Sequence, residues 1–259
     1  MSGTAVYAVF GRPVSHSRSP AMHNAWFRHY GIDATYVALE VPEGDERNVV
    51  QTADELGLAG ANVTAPLKVA VAETVGRLEG DASWIGAVNL LVRDGAGWVG
   101  ANTDAPGLVL ALREAGDEPT GRRAAVVGCG GAGRAAAFGL ARAGVEHLTL
   151  VNRTPAAAEN LAATVRRAVP AVRVDVAPLD RTAVLDEELV VLAVSGDVDL
   201  APPRRPGTWI DLRYGPIPPT TSTIALAAGH RVSDGSSMLF WQGALSFERW
   251  TGHRPSAPL

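Results

Sequence analysis

Arg123-Ala124-Ala125-Val126-Val127-Gly128-Cys129-Gly130-Gly131-Ala132-Gly133-Arg134 is the stretch that decides the fold. The apolar run to Val127 reads as a strand, the glycines as a tight turn, and Arg134 to Gly144 as a helix. A strand, a Gly-rich turn and a helix N-terminus together aim backbone N–H groups at one point, where an anion is favoured. Glycine permits the turn, lets backbone approach a pyrophosphate, and lets the helix pack close to the strand. Gly-rich loops are also plain turns; the flanking strand and helix are what make Gly128, Gly130, Gly131, Ala132 and Gly133 a candidate dinucleotide site.

Further along, His147-Leu148-Thr149-Leu150-Val151 reads as the next strand and ends in Asn152-Arg153-Thr154. In such βαβ units an acid at this strand end holds the ribose hydroxyls, and Arg accommodates a 2′-phosphate. Here Asn152 replaces the acid and Arg153 offers a planar fork of donors, which favours NADP over NAD. Asn152 and Thr154 can also cap the helix that starts at Pro155; the two roles are compatible.

The 259 residues suffice for one large domain or two modest ones, and 47% apolar with 19% charged content describes a folded, core-rich chain. A formal charge of −4 gives no basic surface for nucleic acid. The single cysteine, Cys129, excludes an intrachain disulfide and fits a reducing compartment. The N-terminus has no secretory signature and no stretch approaches a membrane span, so a cytoplasmic location, with no membrane partner, is expected.

Strand and helix alternate, which predicts an α/β architecture. Expected strands are Val6–Phe10, Thr35–Val41, Ala59–Thr64, Val172–Val176, Leu189–Val194 and Thr208–Leu212, with a hairpin from Val88–Val92 to Trp98–Ala101. Expected helices run from Pro20 to Gly31 with Ser19 as N-cap, then over Asp45–Leu56, Pro66–Leu78, Ala105–Ala115, Pro155–Val169, Thr220–Ala228 and Ser237–Trp250. The tail from Gly252, with Pro255 and Pro258, is expected to fray.

Four segments are unusually polar for their places at strand ends: Ser15–Pro20, Asn62–Lys68, Gly86–Asn89 and Gly100–Asp104. Open α/β sheets bind ligands at such ends. Taken singly each has a plain reading. Ser19 and Asp104 could cap helices, Asn62 and Asn89 could satisfy turn backbone, and Lys68 could be a solvated lysine.

Together these segments resemble the shikimate dehydrogenase family. The carriers are Phe10 to Pro20 with His23-Asn24, the Asn-Val-Thr-x-Pro-x-Lys run Asn62–Lys68, Ile85–Asn89, and Asn102-Thr103-Asp104-x-x-Gly107. The ending matches too: Gly235–Leu239, Gln242-Gly243-Ala244 and Trp250-Thr251-Gly252. The resemblance spans Tyr7 to Gly252. It implies NADPH-dependent reduction of 3-dehydroshikimate to shikimate, with Lys68 and Asp104 as the catalytic pair. It further implies substrate contacts at Ser17, Ser19, Thr64, Asn89, Tyr214 and Gln242. Arg153 takes the place of the 2′-phosphate arginine, and Gly235 and Met238 lie on the cofactor side. Met238 and Gln242 are four apart and share a helix face; on spacing alone Met238 reads as core filler. No metal is implied.

The expected domains are a substrate-binding domain of residues 1–103 and 236–259 and a Rossmann-like NADP-binding domain of residues 104–235, in a monomer or homodimer. Three features depart from the family. Leu90 stands where Thr is common, Leu192-Ala193-Val194-Ser195-Gly196 lacks the frequent Asn-Ala-Thr run, and Pro155-Ala156-Ala157-Ala158 lacks a second basic residue after Arg153. The last implies a weaker phosphate clamp and some NAD use. Competing expectations are a quinate/shikimate dehydrogenase using NAD, a methylenetetrahydrofolate dehydrogenase, which leaves Ser17, Ser19 and Tyr214 without a task, and a non-catalytic NADPH-binding regulator, which predicts loss of Lys68 or Asp104.

Overall fold

The computed structural model describes residues 3–180, 185–198, 200, 205–214 and 220–256. The chain divides into two compact units: residues up to Thr103 together with those from Phe240 onward, and Asp104–Leu239.

The first unit contains β1 (Ala5–Gly11), α1 (Ser19–His29), β2 (Ala34–Glu40), α2 (Val49–Glu55), β3 (Gly60–Val63), α3 (Lys68–Thr74), β4 (Arg77–Leu78), α4 (Ala82–Ile85), β5 (Leu90–Asp94) and β6 (Gly97–Ala101). Its sheet has the order β2-β1-β3-β5-β6-β4. The first three strands run parallel, β5 opposes β3 and β6, and β4 is parallel to β6. Side chains alternate faces along a strand. Ala8 and Phe10 of β1 therefore join a core with Val63, Leu67, Val71 and Leu91. Tyr7 and Val9 join the opposite one, with Trp26, Phe27 and Phe247.

The second unit contains α5 (Asp104–Glu114), β7 (Arg123–Val127), α6 (Gly131–Arg142), β8 (His147–Asn152), α7 (Pro155–Ala168), β9 (Arg173–Pro178), β10 (Leu189–Leu192), β11 (Thr208–Asp211), α8 (Thr220–Ala227) and β12 (Arg231–Ser233). The strand order is β12-β11-β10-β7-β8-β9, parallel throughout. Counted from β7, this is the doubly wound order 3-2-1-4-5-6, whose reversal between β7 and β10 marks the ligand crevice. The last helix, α9 (Ser236–Thr251), begins in this unit and passes into the first after Leu239. Against α1 it packs so closely that a Cβ on Gly243 would run into Met22.

The expected α/β architecture is present, with local differences. The helix expected over Pro66–Leu78 stops at Thr74, because Val75 is extended and Arg77–Leu78 pair with Val99–Gly100 as β4. The Asp45–Leu56 segment is divided: Glu46–Asn48 is 3₁₀ and only Val49–Glu55 is α-helical. α4 is unanticipated and ends at Gly86 in the left-handed conformation. Ser19 is not an N-cap: it is the first helical residue, Arg18 holds the cap position, and Ser17 Oγ accepts the Ser19 amide at 3.3 Å. The tail does not fray at Gly252, for the His253 ring stacks on Tyr30 and Pro255 is buried; Pro258 lies outside the described residues. Among the described residues no helix is long and apolar enough to cross a membrane, and no group of three or more His, Cys, Asp or Glu side chains could hold a metal ion.

Candidate active site

Sheet topology collects the polar segments of the first unit at one edge. β1 and β3 end there, and antiparallel β5 begins where β3 ends and β6 finishes. Backbone bonds then tie the segments together. Thr64 N–H donates to Phe10 O at 2.8 Å, and Arg12 N–H to Ala65 O at 3.1 Å. Val88 N–H donates to the carbonyl of Lys68 at 2.8 Å, and Val63 N–H to Asn89 O at 2.9 Å. Asn102 Nδ2 donates to Ala87 O at 2.9 Å.

Asn62 and Asn89 are buried, and neither merely closes a turn. Asn62 Oδ1 accepts the Tyr36 hydroxyl at 2.8 Å, while its Nδ2 donates to Asn89 O and Ser246 Oγ, both at 3.0 Å. Asn89 Oδ1 accepts the Thr103 amide at 2.7 Å, and its Nδ2 donates to Thr103 Oγ1 at 2.9 Å and Gln242 Oε1 at 3.3 Å. Leu90, the departure beside it, is a core residue of β5 opposite Ala101.

The structure thus brings Thr64, Asn89, Gln242 and the backbone of Lys68 into one cluster, with Ser17 and buried Ser19 following β1 at the same edge. Lys68 is half-buried and opens α3. Asp104 is buried, opens α5, and is the residue after Thr103. One end of this cluster carries His23, fully buried and stacked on Tyr36 at 4.4 Å, with no hydrogen-bond partner for either ring nitrogen. Burial pushes its imidazole down to about 3.

In the second unit the glycine loop sits at the C-terminal edge of β7. Gly128 has φ +99°, and a Cβ on it would lie 2.6 Å from Ala193 O; a Cβ on Gly133 would strike the Gly128 carbonyl. A Cβ on Gly130 would meet nothing within 4 Å. Two glycines are therefore demanded by the protein's own backbone, and the third faces open space at the start of α6, where the first amides have no intrahelical acceptor. That cradle fits a pyrophosphate. Burial raises the Cys129 thiol to about 11, with Arg134 opposing the shift. This suits a small structural side chain.

The Asn152 side chain does not cap α7. Its Oδ1 accepts the Cys129 amide at 3.2 Å and its Nδ2 donates to Thr154 O at 3.0 Å, so it ties the glycine loop to the end of β8. Thr154 is the N-cap of α7, without a side-chain capping bond. Arg153 is exposed, and no hydrogen bond or ion pair joins its side chain to another described residue. Toward the opposite end of the sheet, past β11, a Cβ on Gly235 would run into Leu212 O, and Gly235 N–H donates to Arg213 O at 3.0 Å. This brings the backbone just before half-buried Tyr214 to the start of α9, the helix on which Met238 is buried. β10 ends at Leu192, and its departing loop is held by Arg213, which grips buried Asp211 through two bonds and donates to Gly196 O at 2.8 Å. The bonds to Asp211 raise the guanidinium's pKa further.

Sequence reasoning passed over Tyr36, Ser246 and Arg213. Ser246 had a usable signal: it lies one turn after Gln242 on an otherwise apolar helix face.

A Rossmann-type nucleotide unit joined to a second α/β unit with a polar sheet edge defines a class of two-unit, dinucleotide-binding α/β proteins. Within it, residues 9–91 match the family model of the shikimate dehydrogenase substrate binding domain, and residues 235–259 that of the shikimate 5′-dehydrogenase C-terminal domain. A shikimate dehydrogenase (NADP(+)) of Moorella thermoacetica is 40% identical over 97% of this chain and 89% of its own length. The chain belongs to the shikimate dehydrogenase family. Shikimate 5-dehydrogenase from Thermus thermophilus, solved with NADP(H) and shikimate, is 35% identical with a TM-score of 0.84, covering 97% of this chain and 95% of its own. The Listeria monocytogenes enzyme, solved with shikimate and NAD, is 28% identical with a TM-score of 0.83, covering 98% and 93%.

Proposed function

We propose that this protein catalyses the reversible, NADPH-dependent reduction of 3-dehydroshikimate to shikimate. The observation that carries the reading is the gathering of four polar segments at one sheet edge, in a chain 40% identical over 97% of its length to an NADP-dependent family member. Residues 1–103 and 236–259 form the substrate-binding domain and residues 104–235 the NADP-binding domain.

The chain's residues divide the work by chemistry. Bound NADPH supplies the hydride. The ammonium of Lys68 stabilises the charge that develops on the substrate oxygen and can donate its proton there. The carboxylate of Asp104 orients that ammonium and favours its charged form. Ser17, Ser19, Thr64, Asn89, Tyr214 and Gln242 offer short donors and acceptors to the ring hydroxyls and carboxylate of the substrate. An analogue lacking a hydroxyl leaves such groups unpaired and is rejected. Gly128, Gly130, Gly131, Ala132 and Gly133 hold the pyrophosphate, Arg153 the 2′-phosphate, with Asn152 and Thr154 beside it, and Gly235 and Met238 the nicotinamide side.

A second reading, additional use of NAD, draws on the missing second cation after Arg153 and on the Listeria relative solved with NAD. The test is steady-state oxidation of shikimate by the purified protein with each cofactor. Turnover with NADP at the lower KM supports the proposal; no reduction of either cofactor overturns it.

A further inference from the structure

The buried network behind the site has a defined proton order. Ser246 Oγ lies 2.9 Å from the carbonyl of Gln242, one turn back on α9, and gives its only hydrogen there. It can then only accept, from Asn62 Nδ2 at 3.0 Å and from Thr103 Oγ1 at 3.1 Å. Thr103 Oγ1 in turn accepts from Asn89 Nδ2 at 2.9 Å, and the Thr103 amide donates to Asn89 Oδ1 at 2.7 Å. The Tyr36 hydroxyl, donating to Asn62 Oδ1, fixes which way the Asn62 carboxamide faces and so keeps its Nδ2 on Ser246. The hydroxyl and the amide N–H of Thr103 are thereby both held within this network, and Ser246 is fully buried.

Thr103 is the last residue of the first unit, and Asp104 follows it. We infer that Ser246 is a positioning residue for the reaction: with Tyr36 behind it, it fixes the backbone at Thr103 and so the direction in which the Asp104 carboxylate leaves the chain. The inference rests on the role proposed for Asp104. A misplacement of about 1 Å at a reacting group costs on the order of a hundredfold in rate. Losing the Ser246 hydroxyl leaves two buried donors, on Asn62 and Thr103, without their acceptor, and they can regain partners only by moving.

The experiment compares wild type, Ser246→Ala, Ser246→Thr and Tyr36→Phe by two readouts. One is hydrogen exchange at the Thr103 amide, which needs no activity. The other is kcat and KM for shikimate and NADP. Ser246→Ala and Tyr36→Phe are expected to speed Thr103 exchange at least about tenfold and to lower kcat about tenfold or more, with KM for NADP unchanged. Ser246→Thr, which keeps the hydroxyl, restores both. Unchanged exchange in Ser246→Ala overturns the inference, as does faster exchange with wild-type kcat. A wild type that cannot oxidise shikimate sinks the proposed function separately, while Thr103 exchange still decides whether Ser246 fixes that residue.

Discussion

The amide of Cys129 donates to the side-chain oxygen of Asn152 at 3.2 Å, so the end of β8 holds the glycine loop in place and leaves Arg153 facing solvent. Among the described residues no ion pair holds the Arg153 side chain, so the 2′-phosphate role proposed for it would break none. Arg153→Ala should raise KM for NADP roughly ten- to a hundredfold, the worth of hydrogen bonds to a charged group, and leave KM for NAD nearly unchanged. Asn152→Asp keeps an acceptor for Cys129 but adds a negative charge, and should weaken NADP more than NAD. Steady-state kinetics with both cofactors checks each variant.

Gly130 and Gly133 separate ligand from scaffold. A Cβ at Gly133 collides with the Gly128 carbonyl, whereas one at Gly130 enters open space, with φ −73° that any residue adopts. Gly133→Ala should destabilise the protein by several kcal/mol, as overpacking against backbone does. Gly130→Ala should leave urea stability within about 0.5 kcal/mol of wild type and raise KM for NADP.

The His23 imidazole makes acid stability a test of the buried cluster. Its folded-state pKa, about 3, lies below the ordinary value of 6.5, so the native state resists a proton that the unfolded chain accepts. Stability should be unaffected by this group above pH ~6.5 and fall by about 1.4 kcal/mol per pH unit below it, until the folded pKa is reached. Urea unfolding at neutral pH and near pH 5 should show this loss, about 2 kcal/mol, in wild type. In His23→Phe, which keeps the ring stack, that part of the acid loss should vanish.

The Cys129 thiol, raised to about 11 and buried in the glycine loop, should resist alkylation at neutral pH in the folded protein. It should react at the rate of a free thiol only after unfolding, as mass spectrometry of iodoacetamide-treated protein would show.

Much of this architecture is legible in the residues, because strand and helix periods and glycine steric demands are local. The β7 to β8 unit could be read from Gly128, Gly130 and Gly133 with their flanking apolar runs. Most of what escaped is non-local. The helix expected from Pro66 overruns Thr74 although Gly76 offers a local stop signal; that Leu78 then pairs with Gly100 is what no nearby residue announces. Ser19 has the chemistry of a cap, but the chain turns one residue earlier and Ser17 supplies the oxygen. Asn152 reads as a residue at the cofactor end of β8 or as a cap, but neither reading discloses that its oxygen accepts the Cys129 amide of the glycine loop. Ser246 meets Asn62 across 184 positions of sequence, a pairing no periodicity can disclose.

The most direct measurement is Lys68→Ala, assayed for shikimate oxidation with NADP and, separately, for NADPH binding by calorimetry. Loss of the ammonium proposed to act at the substrate oxygen should lower kcat by at least about a hundredfold while NADPH affinity stays within about twofold of wild type. Turnover equal to wild type would contradict the account.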